Sequence, residues 1–191
     1  MSGKSLIMNL RKLAAAGAAF ALLASTPAFA ELKSGATAPD FTANGALAGK
    51  PFSFSLKQAL QKGPVVLYFY PKAFTKGCTL EAHAFAEASD EFKAAGATVV
   101  GMSNDDIATL QKFSTEACRD KFAVAAASPA VVKAYDVALK LPAGISTGLT
   151  KRTSYVIAKN GKVTMVHSDM DYRDHVKLTL DAVRKLKGAK S

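Results

Sequence analysis

The sequence predicts an α/β domain in which a central mixed sheet carries helices on both faces. Three observations predict it. Residues 65–70, Val-Val-Leu-Tyr-Phe-Tyr, form a continuous β-branched and aromatic run, the pattern of a strand buried on both faces. A second apolar run at 97–102 follows a stretch with helical spacing. Asn160-Gly161 sits between two short apolar runs, which is a strong hairpin signal.

The elements follow in order. Residues 1–30 combine a basic start (Lys4, Arg11, Lys12), an apolar run at 13–24 and the small-x-small sequence Ala28-Phe29-Ala30. That three-part pattern predicts a secretory leader cleaved after Ala30, so that the mature chain is exported, periplasmic in a bacterium, and starts at Glu31. The apolar run is shorter than the roughly 20 residues of a membrane span, so no stable membrane anchor is expected. Residues 31–191 are then expected to form one domain; 49% of the 191 residues are apolar, enough for a normal core.

Residues 31–44 read as an irregular lead-in. Phe52 and Phe54 alternate with Ser53 and Ser55 as a short strand, and 56–62 form one or two helical turns stopped by Gly63-Pro64. After the strand at 65–70, Pro71 ends the run. Cys78, Ala82, Phe85, Ala88 and Phe92 recur at helical spacing, predicting a helix over 75–94 that Gly96 terminates. A strand at 97–102 and a helix over 106–118 come next, then a strand at 122–127 and a short helix at 130–136. Residues 140–151 read as a loop. The hairpin pairs 153–158 with 162–167, and 172–187 form an amphipathic helix with Val176, Leu180 and Val183 on one side. Right-handed crossovers place the helices on both faces. That order matches a thioredoxin-like fold with an N-terminal extension.

Net charge is +10, and +7 once the three basic residues of the leader are removed. The lysines are scattered, with a modest cluster at Arg184, Lys185, Lys187 and Lys190. No basic stripe interleaves with aromatics, so the charge reads as a solvated surface and no nucleic-acid partner is expected. His83, His167 and His175 show no ligand spacing, so neither a metal nor another cofactor is expected.

The two cysteines, Cys78 and Cys118, would by composition alone suggest a bridge in an oxidising compartment. Cys78, however, opens a helix directly after a buried strand, a proline and a short turn. Free N–H groups and the positive end of the helix dipole stabilise a thiolate there, and the thiolate is the form that attacks an O–O bond. Thr75 can cap that helix or bond near the sulfur. Glu81, one turn on, reads equally well as a solvated carboxylate or as a group that orients local hydrogen bonds.

The spacing Pro71-x-x-x-Thr75-x-x-Cys78 resembles the signature of peroxiredoxins, and YFYPKAFTKGCTLEAHAF resembles their Q-type branch, the bacterioferritin comigratory proteins. The likeness covers about residues 35–187. It implies a thiol-dependent peroxidase that reduces hydrogen peroxide and organic hydroperoxides through a Cys78 sulfenic acid. Pro71 would shape the pocket, and Thr75 with Arg152, in KRTSYVIAKNGKV, would stabilise the departing oxygen. Two departures stand out. Ala73 replaces a frequently acidic residue, and His83 stands where many Q-type members carry a resolving cysteine. Cys118 resembles the version in which that cysteine lies on the next helix. This implies an intramolecular Cys78–Cys118 disulfide recycled by a thioredoxin-like dithiol, and a monomeric chain, with a dimer as the alternative. On a helix starting at Ile107, Cys118 would point about 20° from Ile107, at the edge of the core stripe. A buried free thiol and a static bridge remain open for it. So do a thiol–disulfide oxidoreductase, although Glu81 stands where Cys-x-x-Cys needs its second cysteine, and a non-catalytic module.

Overall fold

The structure is a computed structural model that describes residues 32–188; the leader at 1–30 lies outside the described residues. The chain opens with a hairpin, β1 (Thr42–Leu47) and β2 (Lys50–Ser55), followed by α1 (Leu56–Lys62) and β3 (Val65–Phe69). Next come α2 (Lys76–Glu87), α3 (Ser89–Ala94), β4 (Thr98–Ser103), α4 (Ile107–Glu116), β5 (Ala123–Ala126) and α5 (Pro129–Ala134). A ribbon of β6 (Ala138–Lys140) and β7 (Ser146–Thr150), with a 3-10 turn at Pro142–Gly144, precedes the hairpin β8 (Thr153–Ile157) and β9 (Val163–Ser168). Helix α6 (His175–Gly188) ends the described chain.

Seven strands form one sheet in the order β2-β1-β5-β4-β3-β8-β9. Strand β3 is parallel to β4 and antiparallel to β8, so the sheet is mixed. Every residue of β3 is buried. Val66 and Tyr68 face the layer of α2, α3, α4 and α6, whereas Val65, Leu67 and Phe69 face α1 and α5. The two-sided burial is why the run carries no alternating polar residue. This is the mixed-sheet, thioredoxin-like architecture expected from the element order.

The first layer holds the site. Cys78, Ala82, Phe85, Ala88 and Phe92 are all buried on it, as their spacing predicts. Tyr68 stacks on Phe85 at 4.3 Å between ring centroids. Gly101 makes room for that ring, since a Cβ there would stand 2.8 Å from the Tyr68 Oη. Gly161, at φ +80°, closes the expected β8–β9 hairpin, in which Gly161 N–H donates to the Ala158 carbonyl at 2.8 Å.

Four expectations need correction. Residues 42–47 are a strand, not part of an irregular lead-in. A Cβ at Gly45 would lie 2.1 Å from the Val124 carbonyl oxygen, so this glycine serves close strand approach rather than punctuation. The helix over 75–94 is broken at Ala88 (φ −83°, ψ 2°) into α2 and α3; one apolar stripe continues across the break and hides it. The supposed loop at 140–151 contains β7, paired with β6. Helix α6 starts at His175 rather than 172, because the Asp169 and Asp171 carboxylates accept the N–H groups of Asp171 (2.9 Å) and Arg173 (3.1 Å) and fold the preceding residues into turns.

Candidate active site

Sheet hydrogen bonds and side chains from three segments fix the turn that carries Cys78. Beyond β3, Tyr70 N–H donates to the Met102 carbonyl at 3.0 Å, and its own carbonyl accepts from Thr150 Oγ1 at 2.7 Å. Ala73 N–H donates to the Asp105 carboxylate at 2.7 Å, and Ser103 Oγ donates to the same oxygen at 2.8 Å. Half-buried Pro71 lies inside this frame. Phe74 stands at φ +64° with its ring edge-on to Phe113, centroids 5.2 Å apart.

Thr75 is the N-cap residue of α2, but its hydroxyl makes no cap bond; it donates to the Lys72 carbonyl at 2.9 Å. The capping role expected from sequence is therefore not the one it takes, because the tight turn brings a carbonyl within closer reach. Thr79 N–H donates to the Thr75 carbonyl at 2.9 Å. The N–H groups of Lys76, Gly77 and Cys78 thus precede the intrahelical ladder. Cys78 is the third residue of the helix, and it is buried.

Arg152, one residue ahead of β8, brings its charge to that sulfur. Its Nη2 donates to Cys78 Sγ at 3.5 Å, its Nη1 to Glu81, and its Nε to the Met170 carbonyl at 3.0 Å. Burial disfavours the guanidinium's charge, yet Glu81 and Cys78 together hold it above its ordinary range. Gly77 leaves room for the contact: a Cβ there would stand 3.3 Å from Nη2.

Glu81 is fully buried on the next turn of α2. Burial pushes its carboxyl up to about 8, against the opposing pull of Arg152. Its Oε2 binds Arg152, while Oε1 has no hydrogen-bond partner among the described residues and lies 3.8 Å from His175 Nδ1. The solvated alternative for Glu81 is excluded. His175 is also fully buried: Nδ1 is 2.7 Å from Ser154 Oγ and Nε2 is 3.0 Å from the Asp169 carbonyl. Burial holds its ring down to about 4.

Cys118 does not lie on α4. The helix ends at Glu116, and Cys118 sits in the turn beyond the Ala117 cap, its N–H donating to the Phe113 carbonyl at 3.0 Å. Arg119 and Asp120, at φ +50° and +59°, reverse the chain there. The thiol is fully buried in the cluster that contains Tyr68, Phe85, Phe113 and Phe122. Burial first, and Asp120 second, push it far above the usual thiol range. Both cysteines are free thiols, so no bridge joins them.

A sequence model of the AhpC/TSA family matches residues 34–166. The chain belongs to the AhpC/TSA family of peroxiredoxins. Among relatives, chloroplastic peroxiredoxin Q of Sedum lineare is 34% identical over 160 residues, 83% of this chain and 82% of that one. Among solved structures, peroxidoxin BcpB of Mycobacterium tuberculosis aligns with a TM-score of 0.71 at 32% identity, over 81% of this chain and 98% of that one. The bacterioferritin comigratory protein of Xanthomonas campestris, studied for its alkyl peroxide reduction activity, aligns with a TM-score of 0.66 at 25% identity, over 75% of this chain and 91% of that one. Membership in the peroxiredoxin family supports thiol-dependent peroxidase activity.

Of the residues singled out from sequence, Cys78 and Arg152 meet in one hydrogen bond, with Pro71 and Thr75 in the turn before them. Cys118 shares their core layer but makes no bond with Cys78. The sequence carries only faint signals for Glu81 and His175. For Glu81 the signal was its position three after Cys78, on the same helix side. For His175 it was a place on the apolar side of α6.

Proposed function

We propose that the mature chain, residues 31–191, is an exported, periplasmic atypical 2-Cys peroxiredoxin that reduces hydrogen peroxide and organic hydroperoxides. The observation that carries this reading is Arg152 Nη2 at 3.5 Å from Cys78 Sγ, with the guanidinium locked by Glu81 and the Met170 carbonyl. A positive, directional donor beside a sulfur at a helix N-terminus offers hydrogen bonds to peroxide oxygen and to the charge that develops on it.

The Cys78 thiolate attacks the terminal peroxide oxygen in line. An S–O bond forms and the O–O bond breaks. The departing oxygen leaves with the electron pair, stabilised by Arg152, first-turn N–H groups of α2 and Thr75, and takes a proton to become water or an alcohol. Pro71 shapes the approach. Cys118 then attacks the sulfenic sulfur, forming the Cys78–Cys118 disulfide and releasing water. A thioredoxin-like dithiol, itself oxidised to a disulfide, restores both thiols. Full burial of Cys118 and its place outside α4 require the turn at 117–120 to open before this second step. The chain works as a monomer in this scheme, without a metal or organic cofactor.

Stopped-flow peroxide consumption tests the reading. Cys78→Ser should lower the rate by at least about 10⁴-fold with the fold intact, the scale of losing a covalent nucleophile. Cys118→Ser should still reduce one peroxide per chain, accumulate sulfenic acid visible by mass spectrometry, and stall with a dithiol protein. Undiminished turnover in Cys78→Ser would refute the assignment.

A further inference from the structure

Resting on the peroxidase reading, we infer that His175 is a positioning residue: it clamps the turn at Asp169–Met170, and that turn holds Arg152 against Cys78. The chain of contacts is continuous. The Asp169 carbonyl lies 3.0 Å from His175 Nε2, and the adjacent Met170 carbonyl accepts from Arg152 Nε at 3.0 Å. Arg152 Nη2 in turn reaches Cys78 Sγ. One ring nitrogen therefore fixes the peptide next to the one that sets the angle of the guanidinium.

The tautomer follows from the partners. A carbonyl oxygen only accepts, so Nε2 carries the hydrogen. Burial keeps the ring neutral at working pH, which leaves Nδ1 as an acceptor, and the Ser154 hydroxyl donates to it at 2.7 Å. Ser154 belongs to β8, in register with Tyr68 of β3, so the clamp is referenced to the rigid centre of the sheet. Residues 169–174 need such a clamp. Asp169, Met170 and Asp171 are exposed, and the carboxylate turns at Asp169 and Asp171 bind only residues within the same segment. The other groups facing the ring are Glu81 of α2, with Oε1 3.8 Å from Nδ1, and His167 of β9, whose ring meets that of His175 edge-on at 4.5 Å. Neither replaces the bond to Asp169. A neutral ring also avoids setting a second cation beside Arg152.

Two glutamine-family variants separate clamping from filling space. The amide nitrogen of glutamine extends to about where imidazole Nε2 sits, whereas that of asparagine stops near Nδ1. In reduced full-length protein, His175→Asn should slow peroxide oxidation of Cys78 by about 10- to 100-fold, and His175→Gln should stay within about threefold of wild type, on the scale of misplacing a catalytic group by an ångström or less. With Arg152→Gln already in place, His175→Asn should cost no further rate. Equal rates for the two His175 variants, or a full additional loss in the Arg152→Gln background, would overturn the inference. Nitrogen-15 NMR of wild type tests it independently of variant folding: the Nε2–H tautomer is expected, and an Nδ1–H tautomer would overturn the clamp. A wild type that consumes no peroxide would instead refute the peroxidase reading, while the tautomer measurement would still decide the clamp.

Discussion

Cys78 and Cys118 are both buried on the same face of the sheet, in one apolar cluster, yet their surroundings are opposite in kind. Cys78 meets a guanidinium at 3.5 Å, and a first helical turn supplies N–H groups beside it. Cys118 meets aromatic rings, and its nearby charge is the carboxylate of Asp120, so ionisation is opposed twice. Burial alone therefore says little about a thiol's role. What separates the two is whether a fixed positive group was buried with the sulfur. The Cys78 side carries a cost for that, since a buried Arg152–Glu81 pair is expensive to desolvate. The arrangement sets a charged pocket that is costly to bury beside a core built for packing.

Taking the positive group away breaks this contrast most directly. Arg152→Gln should lower the rate of Cys78 oxidation by peroxide about 10²- to 10³-fold, the usual loss for one preorganised charge-stabilising donor. Single-turnover fluorescence or quenched mass spectrometry measures it. A rate close to wild type would mean that the helix N-terminus alone distinguishes the two thiols.

Alkylation of the reduced protein compares them directly. Peptide mapping after iodoacetamide treatment should find Cys78 labelled at least about 100-fold faster than Cys118, because Cys118 reacts only through local opening of the turn at 117–120. Mild urea should speed Cys118 well below the global transition. Equal labelling rates would erase the contrast.

A smaller effect tests how finely the guanidinium is seated. Gly77→Ala places a Cβ 3.3 Å from Arg152 Nη2, so the guanidinium must give way by a few tenths of an ångström. The peroxide rate should fall about 3- to 10-fold, consistent with the sensitivity of catalysis to sub-ångström placement, with little change at Cys118.

These residues also show what the sequence could reveal. The buried β3, the stripe from Cys78 to Phe92 and the β8–β9 hairpin were legible because their signals are local: period and turn chemistry. Cys78 stood out by its place at the head of a helix after a buried strand, whereas Pro71 and Thr75 were singled out as candidates through family resemblance. Strand β1 was not legible, because Gly45 answers to a neighbouring strand rather than to a break in the chain. Arg152 was legible only through family resemblance, since 74 residues separate it from Cys78. Glu81 and His175 were obscured for a related reason. A carboxylate at helical spacing looks the same whether it faces solvent or a distant arginine, and a histidine's partners are set by tertiary packing. Cys118 followed the stripe on paper, but α4 ends at Glu116, two residues before it, and the left-handed Arg119 and Asp120 turn the chain directly after it.

Stability against pH separates two groups around Arg152. His175 titrates at about 4 in the folded chain instead of 6.5. Below 6.5 the unfolded chain binds a proton that the folded chain refuses, so this contribution is complete above 6.5 and is lost as pH falls through 4. Glu81 runs the other way: raised from 4.5 to about 8, it contributes fully below 4.5 and its contribution is lost as pH rises through 8. The two slopes oppose each other between 4.5 and 6.5, so wild type alone will look nearly flat there. Urea unfolding of His175→Gln and Glu81→Gln beside wild type resolves them. The stability difference between wild type and His175→Gln should move against wild type toward pH 4, and that between wild type and Glu81→Gln should move against wild type toward pH 8. Each full unit of pKa shift corresponds to about 1.4 kcal/mol, well within what unfolding curves detect. Parallel curves for all three proteins would mean that these groups are solvated after all, and that the charged pocket around Cys78 is wetter than its packing indicates.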